Sequence, residues 1–253
     1  MNREYDRLSC TAITKSFDGV QALQCLDLTF PLAGVVAVVG PNGAGKTTLF
    51  NIITGFVSPD AGKVLLGDRD ITRMQPCAIA KLGITRTFQD VRLIAQLSAL
   101  ENVELARPNQ RGEKLVYALS RRGVAREEAS NANASMELLR FVGLEDVCKE
   151  QAGELSYGQQ KLLTLASCLA TEARVLLLDE PVAGVFPQVA DQVLNLLLKL
   201  KEQRKLVVFI EHDLSAVRRV ADTVIVMEGG RVIATGTPAK VLAQPEIMEA
   251  YIG

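Results

Sequence analysis

Residues Gly40-Pro41-Asn42-Gly43-Ala44-Gly45-Lys46-Thr47-Thr48 follow directly on the apolar run Val35 to Val39, and no other stretch restricts the fold as much. Five apolar residues are too few for a helix and fit a strand buried on both faces. The chain must then leave a buried strand through a glycine-rich loop and enter a segment that reads as helix. Glycines at this spacing let backbone N–H groups turn inward around phosphate oxygens, and the helix start directs its positive end at the same anion. Gly40 through Thr47 fit the pattern G-x-x-x-x-G-K-[ST], whose four fixed positions arise by accident in only ~1% of chains this long. The expected ligands are a nucleotide and Mg²⁺, with Lys46 on the β- and γ-phosphates. Thr47 offers its hydroxyl to a metal ion that prefers octahedral oxygen ligands.

A second constellation is Val175-Leu176-Leu177-Leu178-Asp179-Glu180, an apolar strand that ends in two acids. Open α/β sheets bind ligands at the carboxyl ends of their strands. Asp179 is therefore placed to hold the metal, directly or through water, and Glu180 to polarise an attacking water as general base. A solvated strand end is the plainer reading of two acids alone, and pairing with the loop at Gly40 decides against it.

The remaining pattern supplies a scaffold. Ser9 to Phe30 reads as short β-segments around a turn at Asp18-Gly19, and Gly62 to Ile71 as more β-structure broken at Gly67-Asp68. The stretch from about Val91 to Glu154 lacks strand signals and carries Met136, Leu138, Leu139 and Val142 at helical spacing. Beyond it, helix Gln160 to Ala170, strand Val175 to Leu178, helix Gln188 to Leu200, strand Leu206 to Ile210 and helix Leu214 to Val220 alternate. Such alternation implies a parallel sheet with crossover helices.

Composition removes several classes. With 253 residues, 48% of them hydrophobic, the chain can bury a sizeable core. Its 28 Lys plus Arg against 29 Asp plus Glu leave a net charge of −1, so no basic field calls for a nucleic-acid partner. Its apolar runs fall short of the ~18 residues that span a bilayer, and MNREYDRLSC does not read as a secretory signal, so the expectation is a soluble chain that something else anchors. Cys10, Cys25, Cys77, Cys148 and Cys168 include no C-x-x-C pair and read as reduced, mostly buried and structural.

Three more motifs complete an ordered set: Thr87-Phe88-Gln89, Leu155-Ser156-Tyr157-Gly158-Gln159-Gln160 and Ile210-Glu211-His212-Asp213. With the two nucleotide motifs they resemble the ATP-binding subunits of ABC transporters, and family-like flanks cover nearly the whole chain. The resemblance implies a P-loop NTPase core, an α/β fold of mostly parallel sheet, with an N-terminal antiparallel β-subdomain and an inserted helical subdomain. One ATPase domain would fill residues 1–253: β-subdomain about 8–32 and 62–72, core about 33–90 and 160–253, helical subdomain about 91–159. It assigns His212 to the γ-phosphate and attacking water, and Gln89 to metal, water and the link to the helical subdomain. Phe17 lies where the family places an aromatic residue against adenine, although a core Phe is an alternative. Ser156, Gly158 and Gln159 would read the γ-phosphate of ATP held by the opposite subunit, whereas the plain reading of Ser156 is a helix cap. Phe186 departs from the family, which commonly carries Asp or Asn there in a loop crossing between subunits.

Finer resemblance is to the branched-chain amino-acid importer ATPases, through Glu211-His212-Asp213-Leu214 and the ending Gly236-Thr237-Pro238 through Ala250-Tyr251-Ile252-Gly253. Urea importers and lipopolysaccharide exporters share such endings, and Asp179 to Gly184 looks equally like the urea branch. The implied partners are a second ATPase subunit, identical or paralogous, transmembrane permease subunits and an extracytoplasmic solute-binding protein, at the cytoplasmic face of the membrane. Residues Val91 to Leu97 are the implied permease contact. A soluble ABC-type ATPase of another process would carry tandem domains or a long coiled-coil insert, and a non-hydrolysing subunit would lack Glu180 or His212. The basic stretch Arg107 to Arg126 reads as a solvated helix face rather than a lipid-headgroup site.

Overall fold

The computed structural model describes residues 7–87, 93–108 and 121–244, with side chains described outside 121–129. The described residues divide into two units, 7–86 with 174–184 and 193–244, and 87–173 with 185–192.

The first unit holds both sheets. Strands β1 (Leu8–Phe17), β2 (Val20–Thr29), β4 (Ala61–Leu66) and β5 (Arg69–Asp70) form an antiparallel sheet in the order β2-β1-β4-β5. Its hairpin turns at Asp18 and Gly19, whose φ angles of +48° and +83° are those a tight primed turn demands. The expected β-segments on either side of that turn are therefore present.

The second sheet is built from β3 (Gly34–Val39), β6 (Ile84–Arg86), β7 (Val175–Asp179), β8 (Leu206–Ile210), β9 (Thr223–Glu228) and β10 (Arg231–Gly236). Its order is β10-β9-β3-β8-β7-β6, parallel throughout except for the β9–β10 hairpin. Every residue of β3, β7 and β8 is buried, which explains why their sequences read as unbroken apolar runs. One face of this sheet, with Val36, Val38, Leu177, Val208, Ile225 and Met227, shares a core with Leu49, Phe50, Ile52 and Ile53 of α1 (Lys46–Ile53). Ile13, Leu23, Leu26 and Val64 of the antiparallel sheet close the same core.

Among the elements of this unit that escape the sequence patterns are α2 (Pro76–Lys81), β6 and the hairpin strands β9 and β10. Three residues of β6 have no periodicity of their own and become a strand by pairing with β7.

In the second unit, α3 (Ala99–Leu105), α4 (Arg121–Val142) and α5 (Tyr157–Ala170) pack on one another, as the helical spacing of the middle of the chain predicts. Leu139, Val142, Leu162, Leu163, Leu165 and Ala166 are buried there. Helix α5 begins at Tyr157, three residues before the expected Gln160, because Ser156 caps it. The described chain continues through α6 (Pro187–Glu202) and α7 (Leu214–Val220) to α8 (Pro238–Val241).

The cysteines correct one expectation. Cys10 and Cys168 are buried and Cys148 is half-buried, but Cys25 and Cys77 are exposed. Cys25 sits at a φ of +47° in β2, and Cys77 is in the first turn of a short surface helix. Burial pushes the Cys10 thiol up to about 12, as suits an inert structural residue.

Candidate functional site

In the parallel sheet, β8 lies between β3 and β7, with Ile210 beside both Val38 and Asp179. The loop after β3, the acids ending β7 and the residues after β8 thus leave one edge side by side. This is the carboxyl edge where open α/β sheets bind ligands.

The Gly40 loop is held tightly. A Cβ on Gly40, whose φ is +150°, would meet the Met227 carbonyl oxygen at 2.0 Å. One on Gly45, φ +94°, would meet the Ala22 carbonyl oxygen at 2.5 Å and Leu23 Cδ2 at 2.7 Å. Gly230 N–H donates to the Ala44 carbonyl (3.3 Å), and Gln24 N–H to the Gly230 carbonyl (2.9 Å), so the β9–β10 turn braces the loop against β2. Pro41, Asn42 and Gly43 form its outer rim, and Thr47 and Thr48 open the first turn of α1. Thr47 is exposed and Thr48 half-buried. Lys46 is buried and donates from Nζ to the Gly40 and Pro41 carbonyls at 2.6 and 2.8 Å. Burial holds its ammonium below the usual lysine range, opposed by the charges of Glu180 and Asp179. A cation poised over its own loop and facing two acids is placed to move onto phosphate oxygens.

Asp179 ends β7 and is buried. Its Oδ2 accepts from the Arg86 guanidinium at 2.6 Å, an ion pair whose side chains are 4% and 3% exposed. Arg86 also donates to Asn51 Oδ1 of α1 at 2.5 Å and lies over the Phe50 ring, 5.5 Å from its centre. Sequence reasoning did not find Arg86 or Asn51. The signal available was a lone cation between the apolar start of β6 and Thr87.

Glu180 follows with a φ of +49°, in the left-handed region that non-glycine residues seldom occupy. Its Oε1 is 3.2 Å from His212 Nε2, so the structure brings the two expected catalytic side chains together. Glu211, quoted in its motif without a role, is buried and accepts backbone N–H groups from Val182, His212 and Asp213. Desolvation raises its carboxyl above the usual range despite those bonds. The change of chain direction at Asp213 is set by its own side chain, which caps α7 through the Ser215 N–H at 2.8 Å.

Phe17, at the end of β1, is 43% exposed with the Lys15 ammonium 5.2 Å from its ring centre, so the core alternative falls. In the second unit Ser156 accepts from the Gln159 N–H, and the Gln159 side chain accepts from the Ser156 N–H at 2.9 Å, a reciprocal helix cap. Gly158 is small for a packing reason: a Cβ there would meet Val189 at 3.0 Å. Phe186 is 80% exposed. Gln89 and Phe88 lie outside the described residues, as do Val91, Arg92, Arg111, Lys114 and the ending at Ala250 to Gly253. Arg107 pairs with Glu172 at 3.0 Å, and Asn102 gathers the carbonyls of Ile94, Leu97 and Ser98.

Among the described residues no cluster of three or more His, Cys, Asp or Glu could cage a metal ion. The Thr47 hydroxyl and Asp179 carboxylate are hard oxygen donors, and one or two such ligands beside substrate phosphates are how Mg²⁺ is usually held. The donor set fits that ion.

A braced glycine loop, a buried lysine and a glutamate–histidine pair thus lie together at adjoining strand ends. Residues 23–183 match the family model described as ABC transporter, and the chain belongs to that family. It is 35% identical over 248 residues, 97% of both chains, to the high-affinity branched-chain amino acid transport ATP-binding protein BraF of Pseudomonas aeruginosa. It is 36% identical to the probable branched-chain amino acid transport ATP-binding protein LivG of Archaeoglobus fulgidus, over 95% of this chain and 93% of that one. Among solved structures, a nucleotide-free ATP-binding cassette from an ABC transporter superposes with a TM-score of 0.84 at 34% identity, covering 98% of this chain and 99% of that one. A dimeric post-hydrolysis cassette bound to ADP and Pi superposes with a TM-score of 0.77 at 26% identity, covering 91% and 98%. Among the described residues no helix is long and apolar enough to cross a membrane.

Proposed function

We propose that this chain is the ATP-hydrolysing subunit of an importer of branched-chain or related amino acids, working as one of a pair of ATPase subunits on transmembrane permeases. The observation that carries hydrolysis is the 3.2 Å contact between Glu180 and His212 at the strand edge that also carries Lys46. Glu180 takes the proton of the attacking water, and His212 holds Glu180 in register and donates toward the γ-phosphate. Lys46 neutralises charge gathering on the transferred phosphoryl group, together with backbone N–H groups of residues 42–48. Thr47 and Asp179, with Gln89 as the residue the resemblance adds, would hold Mg²⁺, which would supply charge neutralisation for the reacting phosphate.

The adenine stacks on Phe17, and the capped turn at Ser156, Gly158 and Gln159 serves the ATP of the opposite subunit. The chain acts as a single ATPase domain at the cytoplasmic membrane face, fed by an extracytoplasmic solute-binding protein. The names of the relatives support the substrate. The test is reconstitution with the membrane subunits in proteoliposomes. Hydrolysis should rise on adding binding protein loaded with leucine, isoleucine or valine. Stimulation by urea alone, or by no solute, overturns the substrate assignment.

A further inference from the structure

Beside Glu180 and His212 stands a carboxylate that neither proposed role uses. Glu211 follows β8 and is 3% exposed. Its Oε1 accepts the Val182 N–H at 3.2 Å, and its Oε2 accepts the N–H groups of His212 at 2.9 Å and Asp213 at 3.4 Å. The donors belong to two loops, one leaving β7 just after Glu180 and one leaving β8 into His212. A backbone bond from Glu180 N–H to the Ile210 carbonyl, 3.1 Å, is a further tie between these strand ends. Glu180 itself sits at a φ of +49°. A non-glycine residue stays in that region only where its surroundings hold it. A buried carboxylate is equally dependent on the bonds it receives. Those bonds here run to the backbones of both loops.

We propose that Glu211 is a positioning residue for hydrolysis: one oxygen holds the loop of Glu180, the other holds the loop of His212, and together they set the distance between those side chains. The proposal rests on the hydrolytic roles proposed for Glu180 and His212. It explains why a glutamate, with two acceptor oxygens and no donor, ends an otherwise apolar strand. Glutamine keeps one acceptor but faces the other loop's N–H with an NH₂ group, and alanine keeps neither.

His212 is the only histidine in the chain. Its imidazole ¹⁵N resonances in the full-length protein, purified on a histidine-free tag, therefore report this one residue. At fixed pH and without metal, Glu180→Gln should move the Nε2 resonance in the wild-type background. In a Glu211→Ala background that response should shrink by more than half, and in Glu211→Gln it should be intermediate. Hydrolysis by Glu211→Ala in the assembled complex should fall about 10- to 100-fold in kcat, as displaced catalytic groups do, while ATP affinity stays at the wild-type value. Glu211→Gln serves if the alanine variant does not fold. A residue of merely structural importance would lower Tm yet leave both kcat per folded molecule and the response to Glu180→Gln unchanged, and that result overturns the proposal. Should Glu180→Gln leave hydrolysis intact, the hydrolytic reading fails instead, and the resonance measurement still decides whether Glu211 couples the two loops.

Discussion

Replacing Arg86 by Met tests the buried pair that anchors Asp179. The guanidinium and carboxylate are 4% and 3% exposed and 2.6 Å apart, so removing the cation leaves a buried carboxylate without its ion-pair partner. Breaking one side of such a pair costs about 3–5 kcal/mol, and methionine refills most of the volume over Phe50, so the electrostatic loss dominates. Asn51 loses its donor as well, a further cost of about 1 kcal/mol. In a chain of this length each kcal/mol moves Tm by roughly 2–4 °C, so Arg86→Met should melt on the order of 10 °C lower. Replacing both partners, Arg86→Met with Asp179→Leu, removes the stranded charge and should recover most of the loss. Urea denaturation of the wild type, both single variants and the double variant measures the coupling, which should exceed about 2 kcal/mol. A single-variant cost below about 1 kcal/mol, or a double variant no more stable than Arg86→Met, would refute the reasoning.

Gly45→Ala places a Cβ 2.5 Å from the Ala22 carbonyl at a φ of +94°, so the loop must shift; nucleotide affinity by fluorescence titration should fall at least about tenfold. Asp213→Ala removes the cap of α7 and should cost about 1 kcal/mol by urea denaturation. The Ser215 hydrogen bond holds the Asp213 carboxyl below its ordinary 3.8, so this contribution is fully present above that pH and is lost as pH falls through the lowered value. Glu211 has the opposite sign. Burial raises its carboxyl above 4.5, so the folded chain binds the extra proton and stability declines as pH rises from 4.5 through the raised value. Glu211→Gln should flatten that decline in Tm measured against pH.

The strands that carry the site were readable because β3, β7 and β8 are buried on both faces and show as continuous apolar runs. The Gly40 loop, with its own glycine-lysine pattern, and Asp179 and Glu180 were legible at the ends of those runs, whereas the role of His212, beside another such end, came from the family resemblance. Arg86 was not readable, because its role depends on β6 pairing beside β7, a register set by hydrogen bonds between residues some ninety positions apart. Glu211 was hidden for the same reason: its Val182 donor is 29 residues away, and the sequence shows only a charge after an apolar strand. The hairpin β9–β10 was overlooked although Thr223 to Met227 is apolar enough to be a strand, and with it the brace that Gly230 gives the Ala44 carbonyl. At Phe17 the pattern left core and ligand contact open, and exposure removes the core reading.

In the proposed mechanism Glu180 drives hydrolysis, while Lys46 and its loop bind the nucleotide independently of it. The most direct measurement is single-turnover ATP hydrolysis by the assembled transporter, wild type against Glu180→Gln, with ATP affinity measured on the same samples. Equal affinity and a fall in rate of about 10²- to 10⁴-fold, the usual contribution of a general base, are expected. A Glu180→Gln variant that hydrolyses at the wild-type rate would contradict that mechanism.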